Sequence, residues 1–375
     1  MPEYELSFSP SSSNDAGCYR LIELTPDLTK LLEDAIANEK EVNFSIKGHS
    51  NEDAFLCTAD KTFAMRSVGL SNTLLVVTPV PDEHAADFAE DAVVIRDQLN
   101  EIIELVPAVP KLHKLSVLIK DREYDEGQED LEDDENRTRL TYEDALLQIQ
   151  ASPGELDAGL RERRILVINN ELRPMTPIYL THLLELILNL LVSLSMKHTA
   201  APVERLLSAL ADEHEVSRAV SIQVMYWFGQ IKEGKWAMDV PAIVKELGLG
   251  ILRNHRHEPI EKDELLAKWK SQVGDTFEET VSLDLLSGNY IEAESLGSDE
   301  VVLKYFPSSA LPVDPAARFA DLFLTRTKWK GEEITPFLSD IAVNSKERDK
   351  LLLKYCRTVT DAQGIRYTAR AQYNG

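Results

Sequence analysis

Fifteen residues, a third of the way along the chain, limit what it can fold into. Between Asp121 and Glu135 ten side chains are acidic and only Arg122 is basic. Carboxylates so crowded repel one another and offer almost nothing apolar to bury, so the run reads as a solvated linker. It divides the 375 residues into two parts of different character. A chain of this length has room for two or three domains. With 43% hydrophobic and 28% charged residues, it carries enough apolar material for packed cores.

The part before the run reads as β-rich. Tyr19–Leu24 has the short alternation of a strand. Thr25-Pro26 has the form of a helix N-cap followed by proline at the first helical position, and Leu28, Leu31, Leu32, Ala35 and Ile36 follow at helical spacing. Next come β-type runs at Val42–Lys47, Ala54–Thr58, Thr62–Val68 and Thr73–Val77, separated by polar turns at 48–51, 59–61 and 69–72. Val93–Pro110 is a further strand-rich stretch, and Leu112–Lys120 closes the region as helix or strand. Short strands on short turns predict an antiparallel sheet or barrel.

Beyond the run, helical patterns alternate with pairs of short strands. Lys262–Lys270 is a helix, Thr276–Ser287 gives one or two more, and strands Asn289–Ala293 and Val301–Phe306 flank a polar loop. Ala316–Thr325, Glu332–Asp340 and Ser345–Leu353 are helices, followed by strands Tyr355–Thr358 and Ile365–Thr368. Three helices with a C-terminal two-stranded wing is the winged-helix order. An earlier copy, with helix Thr141–Gln150 and strand Arg164–Asn169, lacks a marked element between them. The expected class is α+β. Residues 1–120 form a β-barrel part for hetero-oligomerisation and 121–139 an acidic linker. Three tandem winged-helix domains follow at 140–200, 201–310 and 311–375. The apolar stretch Ile178–Leu194 carries His182, Glu185, Asn189 and Ser193 on one helical face. It reads as a nearly buried helix with one wet stripe, not a membrane span.

Motifs for catalysis are absent or incomplete. Gly229-Gln230-Ile231-Lys232-Glu233-Gly234-Lys235-Trp236 has the spacing of a phosphate loop, but Trp236 stands where a magnesium-holding Ser or Thr is needed. The segment also follows a helix pattern, Val216–Phe228, so the two glycines read as a helix stop and a turn. His255-Arg256-His257-Glu258 places a repelling arginine between two possible metal ligands and reads as a surface loop. No cofactor, metal or catalytic constellation is expected. Cys18, Cys57 and Cys356 are odd in number and far apart, which excludes a disulfide scaffold and fits a reducing compartment.

Charge is more informative. The chain carries −24 overall, against a role in coating nucleic acid or anionic membrane with its whole surface. Residues 318–375 hold eleven Lys/Arg and seven Asp/Glu, a local balance of +4. Lys346, Lys350 and Lys354 recur at i, i+4 and i+8 on the third helix of the last domain, Arg357 follows in the first wing strand, and Arg366 and Arg370 lie in and after the second. A lysine stripe with arginines on the wing is what contact with DNA phosphates requires. Leu353 has no place in this division. One alternative is a winged-helix transcription or chromatin factor binding DNA on its own, but the third helix offers no Asn or Gln beyond Asn344 for base edges.

Further stretches carry a resemblance. Val301–Pro312, Ala317-Arg318-Phe319, Lys328-Trp329, Glu333-Ile334-Thr335-Pro336-Phe337 and Leu351–Arg357 are similar to the C-terminal region of the family named for defective sister chromatid cohesion. Leu21–Leu28, Ile46-Lys47-Gly48, Ala54–Thr58, Lys61–Val68 and Ser71–Val77 are similar to its N-terminal region in the same order. The resemblance implies a nuclear, non-catalytic accessory subunit of an alternative, replication factor C-like clamp loader that acts on the sliding clamp PCNA. It implies that the N-terminal part joins the small and the large chromosome-transmission-fidelity subunits in a shared triple-barrel module. It implies further that the winged-helix row docks on the catalytic subunit of DNA polymerase epsilon and touches DNA without regard to sequence, other subunits hydrolysing ATP.

Overall fold

The computed structural model describes residues 5–8, 19–80, 92–120, 122–128, 139–294, 300–361 and 364–370. The fold is α+β and falls into two units, one of Met1–Pro110 with Leu147–Glu155, the other of Lys111–Leu146 with Leu156–Gly375. The division lies at Pro110, ahead of the acidic run. Most of that run lies outside the described residues.

In the first unit, strands β1 (Glu5–Phe8), β2 (Ile22–Glu23), β3 (Ser45–Lys47), β4 (Phe55–Cys57), β5 (Thr62–Pro79) and β6 (Ala92–Pro107) form one sheet in the order β1-β6-β5-β4-β3, with β2 also on β6. Among the described residues the pairing does not close into a barrel. The two strands expected at 62–68 and 73–77 are one. The polar stretch 69–72 is a bulge, not a turn, because β6 runs on unbroken beside it: six residues of β5, Gly69 to Leu74, face three of β6, Glu101 to Leu99. Helix α1 (Pro26–Ala37) starts at the cap read from the sequence, with Thr25 Oγ1 accepting from Leu28 N at 3.4 Å. Leu28 and Ala35 are buried, but Ile36 is exposed. The core beneath is small: Leu28, Leu56, Phe63 and Leu105, edged by Ile22, Met65 and Ile103.

Segment 147–155 is tied to this sheet by a polar cluster. Glu155 accepts from Thr62 Oγ1 at 2.5 Å and from Ser152 Oγ at 2.8 Å. Ser152 N donates to Thr62 Oγ1 at 2.9 Å, and Lys47 Nζ donates to Ala151 O at 2.6 Å.

β5 has an open edge. β4 pairs only with Thr62–Ala64, and from Arg66 to Pro79 the side of β5 away from β6 has no strand partner among the described residues. Val68, Leu74, Leu75 and Val77 along this stretch are about 40% exposed. An apolar strand with unpaired backbone groups is a template for another chain.

Along the chain α2 (His113–Leu118) is followed by α3 (Tyr142–Gln148), whose last two residues belong to the first unit, α4 (Pro153–Glu162), of which the second unit holds the part from Leu156, and the hairpin of β7 (Ile165–Ile168) and β8 (Glu171–Pro174). α4 is the element the sequence left unmarked: Pro153-Gly154 looks like a breaker, but proline is at home in a helix's first turn.

Three times after this, a helix leads to a two-residue strand, further helical segments and a hairpin, and the short strand pairs with the second hairpin strand. The first repeat is α5 (Pro177–Ser193), β9 (Ala201–Pro202), α6 (Val203–His214), α7 (Arg218–Trp227), β10 (Gly229–Lys232) and β11 (Lys235–Met238). The second is α8 (Val240–Asn254), β12 (Ile260–Glu261), α9 (Lys262–Val273), 3-10 turns at Glu278–Thr280 and Leu283–Leu286, β13 (Tyr290–Glu294) and β14 (Val301–Tyr305). The third is α10 (Pro315–Thr325), β15 (Trp329–Lys330), α11 (Gly331–Ile334) running into a 3-10 turn at Thr335–Leu338, α12 (Ser345–Tyr355), β16 (Cys356–Asp361) and β17 (Gly364–Ala369). The helix expected at 332–340 is thus shorter and tighter, since Pro336 supplies no N–H for an α-helical ladder.

Each repeat opens on the same device: Thr176, Asp239 and Asp314 cap the N–H groups of Tyr179, Ala242 and Ala317, with proline in the first turn. Each also buries one tryptophan whose indole N–H donates to a backbone carbonyl: Trp236 to Met225 at 2.8 Å, Trp269 to Val244 at 2.7 Å and Trp329 to Leu322 at 3.2 Å. One continuous core runs from Tyr124 to Leu303 through the first two repeats, and the third has its own, built on Phe319, Leu322, Trp329, Phe337 and Leu352. α5 is largely buried, with His182, Asn189 and Ser193 in its exposed stripe. No helix among the described residues is long and apolar enough to cross a membrane.

The phosphate-loop spacing resolves into a hairpin turn between β10 and β11, with Gly234 at φ 71°. Gly229 is required by space: a Cβ there would stand 2.3 Å from Trp236 Nε1 and 2.4 Å from Ala237 O. Gly229→Ala is therefore expected to lose about 1–3 kcal/mol by overpacking, read as a lower urea midpoint in tryptophan fluorescence.

Candidate nucleic-acid interface

The third repeat gathers the cations singled out in the sequence. Asn344 caps α12, its Oδ1 accepting from Glu347 N at 3.0 Å. Leu352 and Tyr355 are buried, and Lys346, Lys350 and Lys354 line the opposite, exposed side. Lys350 Nζ lies 2.7 Å from Glu347 Oε1, an exposed contact of small energetic weight. Lys354 Nζ sits 5.0 Å over the Tyr355 ring, and neither it nor Lys346 has an ion pair among the described residues. Leu353 is 71% exposed beside the lysines.

The hairpin adds the arginines. Arg357 stands opposite Thr368, its Nε donating to Thr368 Oγ1 at 3.2 Å, and Arg366 opposes Val359. Arg357 and Arg366 thus share the outer face as diagonal neighbours, while Tyr367 packs on the core behind. Arg370 is drawn back: its Nε donates to Cys356 O at 3.0 Å. The lysine stripe and Arg357 are placed as surface groups, whereas Arg366 is half-buried with its Nε enclosed and Arg370 is engaged with the backbone.

Two features escape sequence reading. Lys330, on two-residue β15, lies directly across from Arg366. A two-residue strand leaves no periodicity, although the same helix–short strand–helix order recurs at Ala201-Pro202 and Ile260-Glu261. Conversely, Arg318 enters the positive balance but is fully buried, and Arg326 is bound to Glu333 at 3.0 Å.

Burial pushes Cys356 up to about 12, against the opposing pull of the Arg370 charge, and burial also raises Cys57. A thiol so held contributes stability that is complete below its ordinary value of 9.0 and is lost as pH climbs through about 12. At pH 8 both thiols are expected to resist iodoacetamide in the folded chain and to react after denaturation, as peptide mass spectrometry would show.

His255 and His257 follow α8. Lys268 Nζ lies 3.5 Å from His255 Nε2, and no His/Cys/Asp/Glu group among the described residues is arranged to hold a metal.

The family model described as "Sister chromatid cohesion protein Dcc1" matches residues 19–338. The Homo sapiens sister chromatid cohesion protein DCC1 is 27% identical over 358 residues, covering 93% of this chain and 88% of the relative. The Saccharomyces cerevisiae protein of that name is 25% identical over 365 residues, covering 90% and 93%. A probable one from Dictyostelium discoideum is 24% identical over 364 residues, covering 92% of each. The chain belongs to the sister chromatid cohesion protein Dcc1 family.

Proposed function

We propose that this chain is a non-catalytic accessory subunit of an alternative, replication factor C-like clamp loader in the nucleus, and that it links the loader to DNA polymerase epsilon and to DNA. In this reading the first unit supplies part of a triple-barrel module shared with the small and large chromosome-transmission-fidelity subunits. The three repeats are winged-helix domains, the earlier ones facing the polymerase and the last contacting DNA phosphates, in support of PCNA loading and cohesion.

The observation that carries the proposal is the open edge of β5. A strand exposing Val68, Leu74, Leu75 and Val77, with its outer backbone groups unpaired from Arg66 on, is suited to strands from another chain. Family membership supports the cohesion role, and the exposed Lys346, Lys350, Lys354 and Arg357 support phosphate contact.

Glutamates at Leu74 and Leu75 test the shared sheet. Both side chains are already about 40% exposed, so the free chain is expected to keep its thermal midpoint, within the small range usual for surface changes. Co-expressed with the two loader subunits, the variant is expected to lose them on gel filtration while the parent chain retains them. Retention by the variant would remove β5 from the interface.

A further inference from the structure

We propose that Lys47 is an acylation site: its amine takes an acetyl group from an acyl thioester, and the neutral amide so formed keeps segment 147–155 fastened to the sheet of the first unit.

Lys47 ends β3, the edge strand of that sheet, just ahead of the exposed turn at 48–51. Its side chain is half-buried, and its Nζ donates to Ala151 O at 2.6 Å, 104 positions away. That is its one hydrogen bond, and it has no ion pair among the described residues. Lys61, Lys262, Lys268 and Lys350 instead reach carboxylates. The carboxylate of the same cluster is already engaged. Glu155 Oε2 accepts from Thr62 Oγ1 at 2.5 Å, from Ser152 N at 3.1 Å and from Ser152 Oγ at 2.8 Å.

An ammonium brings three N–H donors and a full charge. The niche at Lys47 offers one acceptor, the carbonyl of Ala151, a residue only 1% exposed. Drawing a charge out of water without a counter-ion is costly. Acylation removes the charge and leaves a single N–H, which matches the single acceptor. Two backbone bonds hold the same segment beside it: Ser152 N donates to Thr62 Oγ1 and Gly154 N to Ala59 O, each at 2.9 Å.

The amine is also prepared for the reaction. Burial weakens the hold of the Lys47 ammonium on its proton, opposed by Cys57 and Glu155 close by. Lys61 holds its proton more tightly, through its hydrogen bond to Asp27. The neutral amine is therefore more abundant at Lys47 than at Lys61 near neutral pH. Its lone pair attacks the thioester carbonyl carbon. The N–C bond forms, the C–S bond breaks, the thiolate leaves with the electron pair, and the surplus proton on nitrogen passes to solvent. Nothing is oxidised or reduced. β3 has no strand on its outer edge among the described residues, which leaves it open to an acyl donor.

The test has two arms, both on the full chain. In the first, acetyl-coenzyme A is added at pH 8 and acetylation is followed at low conversion by peptide mass spectrometry. Lys47 is expected to react about fivefold faster than Lys61, and the preference to vanish in urea. In the second, acetyl-lysine is built in at position 47 and hydrogen exchange is read at the amides of Ser152 and Gly154. The acetyl-lysine chain is expected to exchange there as slowly as the parent. Lys47→Met, which lacks the N–H, is expected to exchange about tenfold faster. Acetylation of Lys47 no faster than of Lys61 would overturn the site. Exchange in the acetyl-lysine chain as fast as in Lys47→Met would overturn the fit of the amide to Ala151.

Discussion

Arg318→Ala is expected to lower the stability of the third repeat by about 3–5 kcal/mol. The guanidinium is fully buried, and its donors are engaged. Nε donates to Pro312 O at 2.6 Å, one terminal nitrogen to Phe337 O at 2.8 Å, and the other to Leu311 O at 3.3 Å; both terminal nitrogens reach the Asp340 carboxylate. One side chain thus fastens the 311–312 turn, the end of the 3-10 turn and Asp340 together beneath α10. Removing it leaves buried carbonyls without donors, and that, more than the lost ion pair, sets the size of the effect. Asp340 itself is 43% exposed and can be hydrated. Asp340→Ala is therefore expected to lose less, about 1–2 kcal/mol. Arg318→Lys cannot rescue, because an ammonium lacks the planar fork that reaches these acceptors at once. Urea unfolding followed through Trp329, whose ring belongs to this core, measures all three variants.

The second large effect is expected at Glu246, on α8. Its buried carboxylate accepts from Arg253 at 2.8 Å and from Arg164 Nε and a terminal nitrogen, each at 3.3 Å. Arg164 sits at φ 54° before β7 and lies 4.2 Å over the ring of Phe228, at the end of α7. The triad therefore joins the β7–β8 hairpin to the first two repeats. Burial lowers the affinity of the Arg164 guanidinium for its proton, opposed by the nearby Glu246 charge. Glu246→Ala leaves two half-buried cations facing one another and is expected to lose about 3–5 kcal/mol. Glu246→Gln, which keeps one acceptor oxygen, is expected to lose less. If the alanine variant unfolds at the parent's urea midpoint, the triad contributes nothing to the joint.

Much of this architecture can be read in the sequence where the signal is local. Thr25-Pro26 marks the start of α1, Asn289–Ala293 and Val301–Phe306 mark a hairpin, and the i, i+4, i+8 lysines mark the exposed side of α12. What stays hidden depends on distant partners. Gly69–Asn72 has turn chemistry, but the continuity of β6 makes it a bulge. Two-residue strands such as Trp329-Lys330 carry no period, so Lys330 was not visible beside Arg366. Arg318 adds to the charge count as though it faced water, and only packing shows that it is structural. Gln223 looks like any polar residue on a helix surface until Val167 is beside it. Local rules place the elements, whereas the roles of these residues are set by pairing across 22 to 56 positions.

The role proposed for this chain is to hold a loader and a polymerase together. The most direct test is to co-express the full chain with the small partner subunit and the C-terminal tail of the large subunit, and to pass the product over immobilised catalytic fragment of polymerase epsilon. A stable three-chain complex retained by the polymerase is expected, with retention unaffected by alanines at Lys346, Lys350 and Lys354. A monodisperse free chain that ignores both the loader subunits and the polymerase would contradict it.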